Sequence, residues 1–400
     1  MKILVVASYL PFPLHSGGHV RLYNLLKELS KNHKLTLVCE KRSFQTEKDV
    51  IEVKRYCEEI ITIDRKKQWS IQNVLKTGVS SSPFLVTGHT LSEMKSVLIQ
   101  KLQEKTFDII HVETFYVFQN LPKTYIPTVL VEHNIEYSVY EKFVKKASKI
   151  LQPILALDVI KLKRIEEEYW RQATKLVAVS KDEKMTMSQI RSDVSIVPNG
   201  VDISYFNNAW KKVKSKEKTK HILFIGDFKW IQNRKAVEWI LDDIWPALQL
   251  RAKNGELRTK LWVVGKNIPE NFKSRGTPDI IFDENAPDET WKIYQKADLL
   301  LAPLVVGGGS SYKILEAMAS GVPVITTELG ATGIDAKDGK ELLVRETPEA
   351  FAQALEYLLI NKDVYETLRK EGKKFVETNY NWKEIAKSLE DVYKNAVKLS

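Results

Sequence analysis

The sequence predicts an α/β protein of two lobes, in which short parallel strands alternate with helices. Its length of 400 residues is too great for one ordinary domain and suits two. Short apolar runs alternate with stretches of helical spacing through the first half, and the same alternation starts again at His221. Between the two halves, the lysine-rich run 210–220 is suited to an exposed linker.

The apolar runs of the first half are typical of strands in a parallel sheet whose two faces are both covered by helices. Helical spacing predicts a helix at 20–30 and a longer one across 138–173, which Pro153 must break or kink. The predicted strands of this half lie at 3–7, 35–39, 60–63, 109–112, 128–131, 176–179 and 195–197.

The second half repeats the pattern. Helices are predicted at 235–251, at 288–296 and from Pro348 onward. The predicted strands of this half lie at 221–226, 261–265, 280–282, 299–303, 324–326 and 342–344. The domain boundaries that follow are an N-terminal lobe at 1–198, a linker at 199–220, a C-terminal lobe at 221–379 and a closing helix at 380–400.

The stretch 301–325 is the most informative part of the chain, because it reads as strand, glycine loop, helix, tight stop and strand. Glycines let the backbone approach a bulky anion, and free N–H groups at a helix start attract phosphate. A lysine there adds positive charge, and a glutamate one turn further on is placed to accept hydrogen bonds from a diol. The alternative is a glycine loop without a ligand, followed by an ordinary surface ion pair. The candidate residues are Gly308, Gly309, Ser310, Ser311, Lys313 and Glu316.

The segment Leu315-Glu-Ala-Met-Ala-Ser-Gly-Val-Pro-Val324 resembles the donor-site signature of glycosyltransferase family 4. Enzymes of this family are retaining and have the GT-B fold, in which two Rossmann-like lobes face each other across a cleft. The resemblance implies a C-terminal lobe that binds the nucleotide sugar, with Glu316 on the ribose. It also implies an N-terminal lobe on the acceptor side, to which the closing helix packs back. The triple glycine is similar to the donor loop of a sub-branch of the family.

The first lobe offers further candidates. Gly17 and Gly18 follow the first strand and resemble paired glycines that face the donor diphosphate in the family; a turn without a ligand is the alternative. His133 follows another strand and matches the family histidine that contacts the donor sugar near the reacting carbon. The alternative is a structural histidine. The candidates for holding acceptor hydroxyls are His111, Glu113 and Arg21, and a structural histidine and a solvated carboxylate are the alternatives there.

The sequence departs from the family pattern in two places. Many members have Arg and Lys after the first strand of the second lobe, where this chain has Asp227 and Asn233. The first of the family's two paired glutamates is missing, because Gly308 stands eight residues before Glu316. Three cations are left to hold the diphosphate, and surface charge is the alternative role of each. They are Lys229, Arg234 and Lys313.

Composition and missing motifs narrow the function further. No two aspartates stand two residues apart, so the D-x-D metal motif is absent and catalysis without a metal is expected. The absence of G-x-G-x-x-G argues against a dinucleotide, and no cofactor is expected; the nucleoside diphosphate sugar is a substrate whose base is left open. Two cysteines give no disulfide framework. A net charge of +10 without a zinc or RNA-binding signature leaves nucleic acid out of the expected partners.

The sequence therefore predicts a metal-independent retaining glycosyltransferase of polysaccharide biosynthesis, which moves a sugar to a glycan or lipid-linked acceptor. The alternatives are a sugar-nucleotide epimerase or hydrolase on the same fold, and a non-catalytic subunit that binds nucleotide sugar. Apolar runs are too short to span a membrane, so a cytoplasmic protein is expected. The lysine-rich segment 140–150 is suited either to the inner membrane surface or to ordinary amphipathic packing.

Overall fold

The computed structural model describes residues 1–211, 219–252, 258–287, 289–306 and 311–399. Within them the chain forms two compact units. The first unit holds Met1–Pro198 together with Ile385–Ser400, and the second holds Asn199–Glu384.

The first unit is built on a seven-stranded sheet in the order β3-β2-β1-β4-β5-β6-β7, and all its strands are parallel. The strand order reverses between β1 and β4, which lie side by side. Each predicted strand of this half is present, with ends that differ by at most two residues. The strands are Lys2–Ala7 (β1), Lys34–Lys41 (β2), Glu59–Asp64 (β3), Ile109–Glu113 (β4), Thr128–Val131 (β5), Lys175–Ala178 (β6) and Val194–Ile196 (β7).

Helices and one 3-10 turn, at Phe115–Asn120, connect these strands. The helical stretch predicted across 138–173, with a break or kink at Pro153, is two helices in the structure. Pro153 lies in the first turn of the second one, where its missing N–H costs no intrahelical hydrogen bond. The helices are Gly17–Leu29 (α1), Glu47–Lys54 (α2), Ile71–Val79 (α3), Phe84–Gly88 (α4), Ser92–Glu104 (α5), Glu136–Lys146 (α6), Gln152–Gln172 (α7) and Lys181–Met187 (α8).

The second unit contains a six-stranded parallel sheet in the order β10-β9-β8-β11-β12-β13, and its order reverses between β8 and β11. Its strands bury both faces: Ile222 and Phe224 lie in one core and Leu223 in the other, which explains the unbroken apolar runs. The strands are Thr219–Ile225 (β8), Arg258–Val264 (β9), Ile280–Asp283 (β10), Leu299–Ala302 (β11), Val324–Thr326 (β12) and Leu343–Val344 (β13).

Helix α9, Ile203–Lys211, occupies part of the segment 199–220 that was expected to be a linker. Phe206 and Ala209 of this helix are buried in the second unit, so these residues belong to its core; 212–218 lie outside the described residues. The remaining helices are Ile231–Trp239 (α10), Trp245–Ala252 (α11), Glu270–Lys273 (α12), Thr290–Lys296 (α13), Tyr312–Ala319 (α14), Glu328–Ala331 (α15), Pro348–Ile360 (α16), Lys362–Asn379 (α17) and Trp382–Val397 (α18).

Helix α18 starts in the second unit and belongs to the first unit from Ile385 onward. Its Glu390 accepts a hydrogen bond from His33 Nε2 at 3.0 Å, and Leu389 and Tyr393 are fully buried there. Among the helices within the described ranges, none combines the length and the apolar character needed to cross a membrane.

Candidate active site

Three neighbouring strands of the first sheet end side by side. Ala7 of β1 is paired with Glu113 of β4, and Glu113 is paired with Val131 of β5. In open parallel sheets, ligands bind beyond the carboxyl ends of strands at the point where the strand order reverses. Gly18 follows β1 and His133 follows β5, so the fold brings both to this edge together with the side chain of Glu113.

Glu113 is the centre of a buried polar cluster, and its side chain is 0% exposed. His133 Nε2 donates a hydrogen bond to one carboxylate oxygen at 2.6 Å, and His111 Nε2 donates to the other at 2.7 Å. Burial alone would raise the pKa of Glu113. The charge of His133 and the hydrogen bonds from both histidines outweigh burial and hold the pKa well below its usual range.

Two further side chains complete this cluster. The Tyr393 hydroxyl, which comes from α18, lies 2.7 Å from His111 Nδ1 and donates to it when Nε2 carries the ring proton. Arg21 from α1 places its Nε 3.5 Å from Glu113 and donates from Nη1 to the Pro198 carbonyl at 2.7 Å. The cluster thus joins α1, β4, α18 and the loop after β5, and it fixes the ring of His133.

His133 is the member of this cluster that reaches solvent, with 18% of its side chain exposed. Because Nε2 is engaged by Glu113, Nδ1 is the ring nitrogen left to face a ligand. A Cβ atom added at Gly18 would lie 3.4 Å from this Nδ1 and 3.0 Å from the Tyr9 hydroxyl. Glycine therefore keeps the approach to His133 open, whereas Gly17 starts helix α1 one residue earlier.

The structure corrects the role predicted for Arg21, His111 and Glu113. All three were expected to hold acceptor hydroxyls, but they are at most 1% exposed and bond to one another or to the backbone. The alternative of a solvated carboxylate at Glu113 is equally wrong. Glu113 instead bonds to the ring of His133, and His111 and Arg21 contact Glu113. No sequence pattern indicates Tyr393, because 282 residues separate it from His111.

In the second unit, the candidate residues lie around the start of α14. Gly308, Gly309 and Ser310 are outside the described residues. Ser311 directly precedes the helix, and its side chain makes no capping hydrogen bond. Lys313 and Glu316 follow on α14, one turn apart, and both side chains are half-buried.

Lys313 and Glu316 are both held by polar partners. Lys313 Nζ donates to Asn233 Oδ1 at 2.7 Å and lies 4.4 Å from the centre of the Phe224 ring. Glu316 Oε2 accepts a hydrogen bond from the Tyr294 hydroxyl at 2.8 Å. Burial lowers the pKa of Lys313 to about 7, although Glu316 opposes this shift. Burial also raises the pKa of Glu316, against the effects of Tyr294 and Lys313.

Asn233 links α14 to the loop that follows β8. Its amide donates to the Asp227 carbonyl at 2.8 Å, and its side chain packs against Gly226. A Cβ atom at Gly226 would lie only 2.7 Å from Asn233 Cγ, so this loop requires glycine. Strands β8 and β11 flank the reversal of the second sheet, and the Asn233–Lys313 hydrogen bond joins α10, the helix after β8, to α14, the helix after β11.

The other two candidate cations have different partners. Lys229 is 52% exposed and pairs with Asp227 at 3.0 Å. Arg234 Nη1 donates to the carbonyls of Phe228 and Lys229 at 2.5 and 2.9 Å, so its guanidinium is hydrogen-bonded to the backbone of the loop after β8. Lys313 is therefore the cation that the structure places beside Glu316.

Comparison with protein-family models gives two matches, one in each half of the chain. Residues 15–205 match the family model described as Glycosyltransferase Family 4, and residues 219–361 match the one described as Glycosyl transferases group 1. Together the two matches span most of the chain.

Curated relatives are distant in sequence. An uncharacterized 44.6 kDa protein in the cps region of Klebsiella pneumoniae is 22% identical over 97% of this chain and 98% of its own length. A phosphatidyl-myo-inositol mannosyltransferase of Mycobacterium leprae is 27% identical over 52% of this chain. The chain spans 55% of that second relative.

Solved structures of similar fold cover the whole chain. Sucrose-phosphate synthase from Thermosynechococcus elongatus aligns with a TM-score of 0.69 at 15% identity, over 100% of both chains. Anabaena HepE in complex with UDP and glucose aligns with a TM-score of 0.64 at 12% identity, over 98% of this chain and 99% of that one. At such low identities, the likeness establishes the fold alone.

Proposed function

We propose that this chain, which belongs to glycosyltransferase family 4 and has the GT-B fold, transfers a sugar from a nucleoside diphosphate to a glycan or lipid-linked acceptor with retention of configuration. The observation that carries the proposal is the pairing of Lys313 and Glu316 at the start of α14, held by Asn233 and Tyr294. A cation and a carboxylate one helical turn apart, at a helix N-terminus, are suited to a diphosphate and a ribose diol.

In this proposal the nucleotide binds to the second unit. Lys313 and the first amides of α14 neutralise the diphosphate, and Glu316 accepts hydrogen bonds from the ribose hydroxyls. Ser311 and the segment Gly308, Gly309 and Ser310 are assigned to the same phosphate site, as the family resemblance implies. Lys229 and Arg234 are left out, because the one pairs with Asp227 and the other with backbone carbonyls.

His133 and the paired glycines of the first unit are assigned to the donor sugar. His133 Nδ1 would bind a sugar hydroxyl or stabilise the charge that develops near the reacting carbon. Gly18 leaves room for that approach, and Gly17 contributes backbone at the start of α1. Glu113 acts through His133 by fixing the orientation of its ring.

Retention fits a reaction on one face of the sugar. The bond between the anomeric carbon and the acceptor oxygen forms as the bond to the diphosphate oxygen breaks. The leaving phosphate takes the proton of the acceptor hydroxyl, so that no protein nucleophile is needed. Charge on the departing nucleoside diphosphate is balanced by Lys313 and helix amides, and neither a metal nor a cofactor is part of the proposal. We place the reaction in polysaccharide biosynthesis, in line with the full-length relative from a cps region.

The direct test is a thermal-shift screen with UDP-, GDP- and ADP-sugars, since a ligand that binds the native state raises the melting temperature. One nucleotide class should stabilise the wild type and fail to stabilise Lys313→Met, whereas Lys229→Met is the matched control and should respond normally. The anomeric configuration of the product then reports retention or inversion. No response to any nucleotide sugar would contradict the proposal.

Metal independence is tested separately. Turnover should persist after EDTA treatment, and loss of activity that Mn²⁺ or Mg²⁺ restores would overturn this part of the proposal. Binding of a nucleotide sugar without transfer to any acceptor, or with hydrolysis or epimerisation alone, would instead favour the non-catalytic subunit or the epimerase and hydrolase alternatives.

A further inference from the structure

Helix α3 exposes its apolar side, whereas its half-buried side is polar. Ile71, Leu75 and Val79 are 81%, 64% and 90% exposed, and no residue of the helix is buried. The half-buried side is polar: Asn73 Nδ2 donates to the Gln68 carbonyl at 2.9 Å, and the Thr77 hydroxyl contacts Thr87. A helix that packs on a globular core normally buries its apolar side, so the apolar side of α3 is presented to something outside the unit.

The exposed apolar surface continues onto the neighbouring helix α7. Lys161 Nζ donates to the carbonyls of Thr77 and Ser80, both at 2.8 Å, and Asp158 accepts from the Phe84 amide at 3.0 Å. These contacts fix which side of α7 lies beside α3 and α4. Ile154 stands four positions before Asp158 and Leu157 four positions before Lys161, so both lie on this same side of α7. Ile154 is 69% exposed and Leu157 is 61% exposed.

Two more side chains extend this surface. Trp69 precedes α3 and is 79% exposed, and its ring contacts that of Phe84, beside α7, in a tilted arrangement with the ring centres 4.6 Å apart. Phe143 lies on α6, which packs against α7, and is 62% exposed. Together these residues form a surface that we call the apolar face: Trp69, Ile71, Leu75, Val79, Phe143, Ile154 and Leu157.

The charge around the apolar face indicates what covers it. Residues 65–92 contain one arginine and three lysines but no aspartate or glutamate, and residues 142–157 contain four lysines and again no acidic residue. A second copy of this chain would bring the same positive charge to the contact and be repelled. Anionic lipid headgroups supply the opposite charge over a wide surface, with apolar depth beneath them.

We infer that the apolar face docks the first unit on an anionic membrane surface. The apolar side of α3 enters the headgroup boundary, Lys66 and Lys67 contact lipid phosphates, and Trp69 lies at the interface between water and acyl chains, where tryptophan is enriched. The inference is independent of the transfer reaction, because docking requires neither donor nor acceptor.

The test is cosedimentation of the full chain with lipid vesicles. Wild type should bind phosphatidylcholine vesicles in which about a third of the lipid is phosphatidylglycerol, and bind pure phosphatidylcholine far more weakly. Leu75→Glu combined with Val79→Glu should weaken binding by roughly tenfold or more, since two charges enter the apolar side of α3. Ile360→Glu is the matched control, because Ile360 on α16 is 64% exposed, as Leu75 is, but lies in the second unit.

A second variant checks the electrostatic part without touching apolar residues. Lys66→Gln combined with Lys67→Gln should weaken vesicle binding several-fold and reduce its salt dependence. All variants change exposed side chains, so the melting temperature should stay at the wild-type value. Sugar transfer to a water-soluble acceptor should also be unchanged in the Leu75 and Val79 variant, which separates failure of docking from failure of the proposed reaction.

Three results would overturn the inference. The first is failure of wild type to sediment with anionic vesicles, and the second is binding of the Leu75 and Val79 variant as strong as that of wild type. The third is a wild-type dimer that this variant dissociates without any loss of vesicle binding. The last result would assign the apolar face to a second copy of the chain.

Discussion

The polar cluster around Glu113 in the first unit is closed, in the sense that its charged groups bond to one another. The polar cluster of Lys313 and Glu316 in the second unit is open, in the sense that its charged groups are left to meet a ligand. Around Glu113, the carboxylate, His111 and Arg21 are buried and bonded to one another, and His133 reaches solvent. Around Lys313 and Glu316, both charged side chains are half-buried, and each is hydrogen-bonded to a neutral side chain, Lys313 to Asn233 and Glu316 to Tyr294. The first arrangement is suited to orienting one ring, and the second to receiving a charged ligand.

The pKa shifts also distinguish the closed cluster from the open one. Histidines hold the pKa of Glu113 well below its usual range in spite of burial, so this carboxylate is stably ionised. Burial dominates in the second unit, where it lowers the pKa of Lys313 and raises that of Glu316 towards their neutral forms. Burial thus disfavours the charged form of Lys313 even beside Glu316, and a bound diphosphate would add negative charge that favours it.

The largest expected effect comes from breaking the closed cluster. Glu113→Ala leaves Arg21 buried beside two histidines without their carboxylate, and removing one partner of a buried ion pair costs about 3–5 kcal/mol of unfolding free energy. Chemical denaturation should detect this loss.

Glu40→Ala is the matched control for Glu113→Ala. Glu40 is a fully buried carboxylate of the same sheet, bonded to His89 at 2.7 Å and near Arg65 at 3.7 Å, but without contact to His133. Both variants should lose stability, and only the Glu113 variant should also lose kcat under conditions where it is folded. Equal kcat in the two would show that Glu113 is structural alone.

The strands and the family were predictable because both depend on local sequence. Every predicted strand is present, since a strand buried on both faces must be apolar throughout, and the segment 315–324 identified the family that the comparisons then supported. The cluster around Glu113 was not predictable. The contact between His111 and Tyr393 spans 282 residues, and nothing near either residue indicates it.

The outward orientation of the apolar side of helix α3 could not be predicted from the sequence, for a related physical reason. Its apolar residues at 71, 74, 75 and 79 have helical spacing, but a sequence pattern shows only that a helix has an apolar side and not where that side faces. Likewise, the sequence offered Lys229, Arg234 and Lys313 as equivalent cations. Only their partners in the structure separate them, because surface and half-buried lysines are identical in sequence.

The next effect in size tests whether the closed cluster serves catalysis through His133. His133→Ala should lower kcat by about a hundredfold, the usual loss when one preorganised group at the reacting centre is removed. Affinity for nucleoside diphosphate should stay near the wild-type value, since the proposed nucleotide contacts lie in the second unit. Exposed His15 provides the control variant His15→Ala, which should change neither quantity. A proportional fall in nucleotide affinity would argue that His133 is structural.

A smaller loss is expected when the open cluster is altered. Glu316→Gln keeps the shape of the side chain but removes its charge, and a lost hydrogen bond to a charged group costs about 2 kcal/mol of binding free energy. Calorimetric titration with the nucleotide should show this loss with little change in melting temperature. The control is Glu270→Gln, because Glu270 is 87% exposed in the same unit. An unchanged dissociation constant in Glu316→Gln would remove the ribose from its assigned role.

The smallest effect is a pH dependence that should belong to the open cluster alone. The pKa of Lys313 is lowered to about 7 in the unliganded chain, and a diphosphate favours the charged ammonium, so binding raises that pKa. Below about pH 7 the lysine is already charged and affinity should be constant. Above pH 7, each complex must take up a proton, and affinity should fall by up to tenfold per pH unit until the pKa of the complex is reached.

Calorimetry at pH 8 in buffers of different ionisation enthalpy should record this proton uptake. Lys313→Met should bind more weakly and lose the uptake, whereas His133→Ala should retain it. If His133→Ala abolished the uptake and Lys313→Met retained it, the pH-sensitive group would lie in the first unit, and the contrast between a closed and an open cluster would fail.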